Sequence, residues 1–178
     1  DFYKESKKVK NKKMKFFFII SLLISYNLFA QMSSNPMDEN TKKTIYFFNQ
    51  LRADNTEILN DFYSEDIKFF DPVGKIETLS QMKAYYKSMY SGVESIRFEF
   101  KNIAHSKSIY FFSWDMFLKT PKLNSGDEFV VTGVSEIHFN EESLAFFHRD
   151  YFDLGEMVYE RLPGVGWVIK KVKNRLKH

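Results

Sequence analysis

The chain divides by the spacing of its apolar positions. Between residues 38 and 92 they recur at three- and four-residue intervals, and between 93 and 152 mostly at every second residue, so helices should come first and strands second. Asp38 and Glu39 open a first helix carrying Ile45, Phe48, Leu51 and Arg52, broken at Asp54-Asn55. Asn55 is placed to cap a second helix over Thr56 to Tyr63, with Ile58, Leu59 and Phe62 on its apolar side. A short strand, Ile67 to Phe70, runs into the turn Asp71-Pro72-Val73-Gly74. Thr78-Leu79-Ser80 starts a third helix with Met82, Tyr85, Tyr86 and Met89, ending near Ser91-Gly92.

Beyond Gly92, Ile96, Phe98 and Phe100 alternate with Arg97, Glu99 and Lys101, as in a half-buried strand. Further strands are expected over Ile109 to Leu118, Phe129 to Phe139 and Leu144 to Phe152, with Pro121 to Gly126 a loop. Short connections make consecutive antiparallel pairing the default. The expectation is an α+β fold: three N-terminal helices packed on one face of a curved antiparallel sheet. Residues 163–178 predict an extra C-terminal helix with Val165, Val168, Ile169, Val172 and Leu176 on one side and basic residues on the other. That helix either docks on the domain or meets an anionic membrane surface or acidic partner.

The N-terminal segment has a different character. Met14-Lys15 leads into the charge-free run 16–30, and Gln31 begins polar sequence, the layout of a secretory signal peptide cut after Ala30. The run is shorter than the roughly 20 residues that span a bilayer, so export is expected over a retained membrane anchor. This divides the chain into an upstream extension and signal peptide (1–30), a tether (31–39), a domain (40–162) and the basic tail (163–178), and implies a periplasmic or secreted protein.

Length and charge narrow the functions. A chain of 178 residues suits one domain, and 44% hydrophobic residues can fill its core. The net charge of +3 conceals an acidic body: residues 31–160 hold thirteen Lys and Arg against twenty-one Asp and Glu. A phosphate backbone would be repelled, so nucleic acid is a poor partner. There is no cysteine, hence no disulfide, thiol nucleophile or zinc–thiolate site. His105, His138, His148 and His178 lack metal-ligand spacing, so neither a metal nor another cofactor is expected.

What remains is carboxylates among aromatics: Asp71 after Phe69-Phe70, Asp115 within Phe111 to Phe117, and His148, Asp150 and Asp153 near the end of the last strand. Apolar surroundings raise a carboxyl pKa toward the range useful for acid–base work. Simpler roles compete. Asp71 suits a turn, Asp153 with Glu156 suits a helix cap, and Asp115 could pair with Arg97 or Lys101. Strand alternation also puts His148 and Asp150 on one face and Asp153 on the other.

Four segments carry a family resemblance: Leu51-Arg52-Ala53-Asp54-Asn55, Phe62-Tyr63-Ser64-Glu65-Asp66, Asp71-Pro72-Val73-Gly74 and His148-Arg149-Asp150-Tyr151-Phe152-Asp153. Over about residues 40–162 the chain resembles the bacterial SnoaL-like and ketosteroid-isomerase-like members of the nuclear-transport-factor-2-like (NTF2-like) superfamily. The resemblance implies a cone-shaped barrel closed by three helices over a deep, mostly apolar pocket. It implies Asp71 as base by analogy with the isomerases, or Asp153 by analogy with the polyketide cyclases, with His148 and Asp150 assisting. Tyr63, Tyr85, Trp114 and His138 are the expected ligand-binding residues. Two family donors are replaced, the oxyanion tyrosine by Phe47 and the protonated aspartate by Ser135, and Tyr46, Tyr63 or His138 would have to substitute. Two functions follow: a pocket for a small apolar molecule with isomerase, cyclase or hydratase chemistry, or a non-catalytic binding or homodimeric assembly module.

Overall fold

The computed structural model describes residues 37–176, so the expected signal peptide, the start of the expected tether and the last two residues of the tail lie outside the described part. Helix α1 (Glu39–Gln50) buries Thr41, Thr44, Phe47 and Phe48, a face turned slightly from the one the apolar spacing suggests. Thr44 tolerates burial because its hydroxyl donates to the Asn40 carbonyl at 2.7 Å. The expected second helix is a 3₁₀ turn (Thr56–Ile58) and a single α turn, α2 (Leu59–Phe62). Asn55 does not cap it. Its side chain turns back, accepting from Arg52 N at 2.6 Å and donating to the Gln50 carbonyl at 2.8 Å.

Strand β1 (Tyr63–Phe70) begins where the helix was expected to continue, because Tyr63, Ile67 and Phe69 find the core from an extended chain. The Asp71 turn leads to the two-residue β2 (Lys75–Ile76). Helix α3 (Leu79–Tyr90) is capped by Thr78, whose hydroxyl accepts from Gln81 N at 3.3 Å, and Gly92 after its end takes φ +82°. Then come β3 (Ser95–Ser106), β4 (Ile109–Lys119), β5 (Phe129–Phe139) and β6 (Ala145–Phe152). The chain ends in the short helix α4 (Leu154–Met157), a 3₁₀ turn and the helix α5 (Val165–Leu176).

The six strands lie in the order β2-β1-β6-β5-β4-β3 in one curved, unclosed sheet. The meander β3 to β6 is antiparallel as expected, but β1 joins β6 in parallel, so the sheet is mixed and not wholly antiparallel. The intervening α3 and four strands allow that long-range return. Three irregularities interrupt the sheet: Phe100 to Asn102 in β3, the β5–β6 register between His138 and Phe139, and the β1–β6 register between Tyr63 and Lys68. The second also resets the alternation of β6, so that Ala145 and His148, three residues apart, are both buried.

The inner face of β4 (Tyr110, Phe112, Trp114, Met116, Leu118) meets that of β5 and the helices. Phe47 stacks on Phe62 at 4.1 Å between ring centres, and Phe48 packs edge-on to Phe62 and His148. Asn49 fastens α1 to strand β3: its amide donates to the Phe98 carbonyl at 3.2 Å and its oxygen accepts from Phe98 N at 3.0 Å.

Candidate functional site

Between α3, α4 and the inner face of the sheet lies a cavity of about 320 Å³. Its wall is mostly aromatic and aliphatic, including Phe69, Phe98, Trp114, Met116 and Phe152. Two carboxylates reach it, Asp71 and Asp150, together with the hydroxyls of Tyr85 and Ser135.

Asp71 does two jobs. Its Oδ1 accepts from Val73 N and Gly74 N, both at 2.8 Å, which closes the Asp-Pro-Val-Gly turn. Its Oδ2 accepts a short hydrogen bond from the Tyr85 hydroxyl. Both carboxylate oxygens are therefore occupied, and the turn reading and the cavity-wall reading hold together. Burial first, then the nearby Asp71 and Asp150 carboxylates, pushes the Tyr85 phenol well above its ordinary pKa and keeps it protonated.

Asp150 is held differently. Residue 135 pairs directly with 150 across β5 and β6, and Ser135 Oγ donates to Asp150 Oδ1 at 2.5 Å. Ser135 in turn accepts from Trp114 Nε1 at 2.9 Å. On the other side, His148 Nε2 lies 2.9 Å from the same Oδ1, and Tyr63 Oη lies 2.8 Å from His148 Nδ1. A carboxylate only accepts, so His148 Nε2 is the donor to Asp150, and the Tyr63 hydroxyl pairs with Nδ1 on the other side of the ring. His148 has no exposed surface, and burial raises the pKa of Tyr63 and Tyr86 well above the phenol range. Two donors thus converge on one oxygen and leave Asp150 Oδ2 with no protein donor among the described residues.

The site differs from the expected one in several places. Asp153 is not in the cavity wall: its Oδ1 accepts from Glu156 N at 3.0 Å, capping α4, and its Oδ2 lies 3.4 Å from Lys173 Nζ. The Glu156 amide, with Lys173 adding to it, lowers its pKa, the opposite of what a general base needs. His138 is also misplaced as a ligand contact, because it lies on the opposite sheet face beside Glu136 at 2.7 Å. Tyr63 and His148 stand behind the wall and orient Asp150, whereas Tyr85 and Trp114 line the cavity as expected. Tyr46 is exposed and Phe47 is committed to the core, so neither supplies a donor.

Ser135 was expected only as the replacement of a family donor, and Tyr86 only as a helix residue; both line the cavity. Ser135 had a signal, being a small polar residue at an inward position of β5 between Val131 and Ile137. Asp115 pairs outward with Lys101 at 3.3 Å, as its simpler reading had it. Among the described residues no group of three or more His, Asp or Glu side chains is arranged to hold a metal ion.

Helices over one face of a bent sheet, with an inward-facing carboxylate beside an apolar cavity, define a SnoaL-like domain. The chain belongs to that family, whose model matches residues 45–147. A candidate SnoaL-like polyketide cyclase from Shewanella putrefaciens CN-32 is 17% identical, with 68% of this chain and 95% of that one covered at a TM-score of 0.60. A hypothetical protein with a ketosteroid-isomerase-like fold from Catenulispora acidiphila DSM 44928, in complex with trimethylamine, is 11% identical (67% and 89% covered, TM-score 0.58). TerC, co-crystallized with polyporic acid, is 12% identical (67% and 95% covered, TM-score 0.57). At such identities the likeness is one of fold. No curated protein matches this chain in sequence.

Proposed function

We propose that this domain binds a small, mostly apolar carbonyl compound in its cavity and moves a proton on it, with Asp150 as the base. The observation that carries the reading is the Asp150 carboxylate. Its Oδ1 is fixed by Ser135 and the buried His148, and its Oδ2 is left unbonded on a residue of an apolar cavity wall. Asp71 is the weaker base because both its oxygens already accept hydrogen bonds. Asp150 Oδ2 takes a proton from the carbon beside the carbonyl, and the C–H electron pair becomes the enolate double bond. In an unsaturated ketone, returning the proton from Asp150 to the far carbon of the dienolate completes an isomerisation; attack of the enolate carbon on a second carbonyl, whose alkoxide takes the proton back from Asp150, completes a cyclisation. Tyr85, kept neutral by burial, gives its one hydroxyl proton to Asp71, so it would serve the enolate oxygen only by turning that proton from Asp71 to the ligand.

Proton exchange tests this without the natural substrate. Cyclic ketones and enones in D₂O should exchange the hydrogens beside their carbonyls, and Asp150→Asn should slow this about 10²–10⁴-fold. Ligands that bind without any exchange, or an Asp150→Asn variant exchanging at the wild-type rate, would overturn the catalytic role.

A non-catalytic assembly module is the second reading, favoured by Phe47 in place of an oxyanion donor. Its supporting feature is the outer sheet face, where Ile109, Phe111, Val130, Phe146 and Tyr151 are exposed and suit packing against a second copy. The basic start and apolar run of residues 14–30 support export, with a retained anchor as the alternative.

A further inference from the structure

Helix α5 carries an apolar stripe of which the domain half-buries Ile169 and leaves the rest in water. On a helical projection Val165, Val168, Ile169, Val172 and Leu176 share an arc of roughly 100°. Val168 and Val172 are each 52% exposed and Leu176 is 75% exposed. The helix is attached by a different edge. A Cβ on Gly166 would sit 2.2 Å from the Glu160 carbonyl oxygen, and Lys173 pairs with Glu160 and reaches Asp153 at 3.4 Å.

Charge selects what covers the stripe. Residues 161–178 hold six Lys and Arg and no acid, whereas residues 31–160 hold thirteen basic and twenty-one acidic side chains. Among the described residues Lys170, Lys171 and Arg175 have no carboxylate partner. An anionic surface therefore attracts α5 and repels the acidic body, which fixes the orientation of approach. Twelve helical residues extend about 18 Å, and among the described residues no helix is long and apolar enough to cross a membrane, so α5 would lie in the plane of the surface. We propose that α5 is an in-plane anchor that docks this domain on an anionic lipid bilayer. The Lys173 clasp joins the anchor to α4, whose Leu154 and Met157 wall the cavity, so docking ties the membrane contact to the ligand site.

The clustered core lies within residues 47–157, so residues 31–178 keep the folded unit without the apolar run 16–30. That protein should co-sediment with phosphatidylcholine–phosphatidylglycerol vesicles, and far less with phosphatidylcholine alone, with binding weakened by added salt. A near-surface Lys or Arg is worth a factor of about five, so Lys170→Gln/Lys171→Gln/Arg175→Gln should bind about a hundredfold more weakly. Val168→Ser/Val172→Ser should also lose binding. All these residues are exposed, and unchanged circular dichroism will show that the variants fold. No binding, equal binding to neutral vesicles, or variants that bind like the wild type would overturn the anchor. So would a solution dimer that Val168→Ser/Val172→Ser dissociates, which would assign the stripe to a second copy.

Discussion

Replacing His148 with Leu tests whether the buried chain of hydrogen bonds behind Asp150 acts as one unit. The side chain has no exposed surface and packs against Phe48, Phe69 and Tyr63, contacts that an aliphatic residue of similar size largely keeps. What goes is polar. The Tyr63 hydroxyl is left with only a long 3.5 Å contact to Tyr86, a buried donor costing about 1–3 kcal/mol. Asp150 loses a hydrogen bond to a charged group, about 1.5–3 kcal/mol, and keeps Ser135. His148→Leu should therefore destabilise by about 3–5 kcal/mol. Tyr63→Phe strands His148 Nδ1 instead and should cost about 1–3 kcal/mol. In the double variant neither stranded group remains, so it should be no worse than His148→Leu and fall short of additivity by about 2–6 kcal/mol. Urea unfolding followed by circular dichroism measures all three at constant slope. Additivity within about 0.5 kcal/mol would refute the coupling of Tyr63 to His148 on which these magnitudes rest.

Other consequences are equally open to measurement. Gly133→Ala should cost about 1–3 kcal/mol and displace Trp114, because a Cβ there would meet the indole at 2.3 Å; unfolding and near-ultraviolet circular dichroism report both. Asp153→Ala should lose about 1 kcal/mol at neutral pH as the α4 cap disappears, without altering ligand binding. Because the folded-state pKa of Asp153 is lowered, its ionic contribution is present above about pH 4 and is lost as pH falls through the folded value; thermal melts of both proteins should converge in acid. Tyr63, Tyr85, Tyr86 and Tyr90 have raised pKa values, so their contribution is complete below about pH 10 and is lost as pH rises through the folded values; ultraviolet titration should find them silent until the chain unfolds.

The sequence by itself determined the order and kind of the elements. Ile96, Phe98 and Phe100 alternate with charged residues, Thr78 starts a helix and Asp71-Pro72-Val73-Gly74 closes a turn, and each choice rests on neighbours in the chain. It also determined that His148 and Asp150 share a strand face that Asp153 does not. Where contacts from afar outweigh local preference, the structure departs from the local pattern. Tyr63 leaves the helical pattern because its ring and hydroxyl fit beside His148, eighty-five residues away. The parallel seating of β1 on β6 is likewise a long-range pairing, with no marker in either segment. The choice of carboxylate was tertiary too. Asp71, Asp150 and Asp153 all sit beside aromatics in sequence; the Asp153 cap was legible from Glu156 three residues on, but only the packed fold adds Lys173 to Asp153 and saturates Asp71 with Tyr85. Asp150 keeps a free oxygen at the cavity because cross-strand register, which needs the whole sheet to set it, brings Ser135 and His148 to the other.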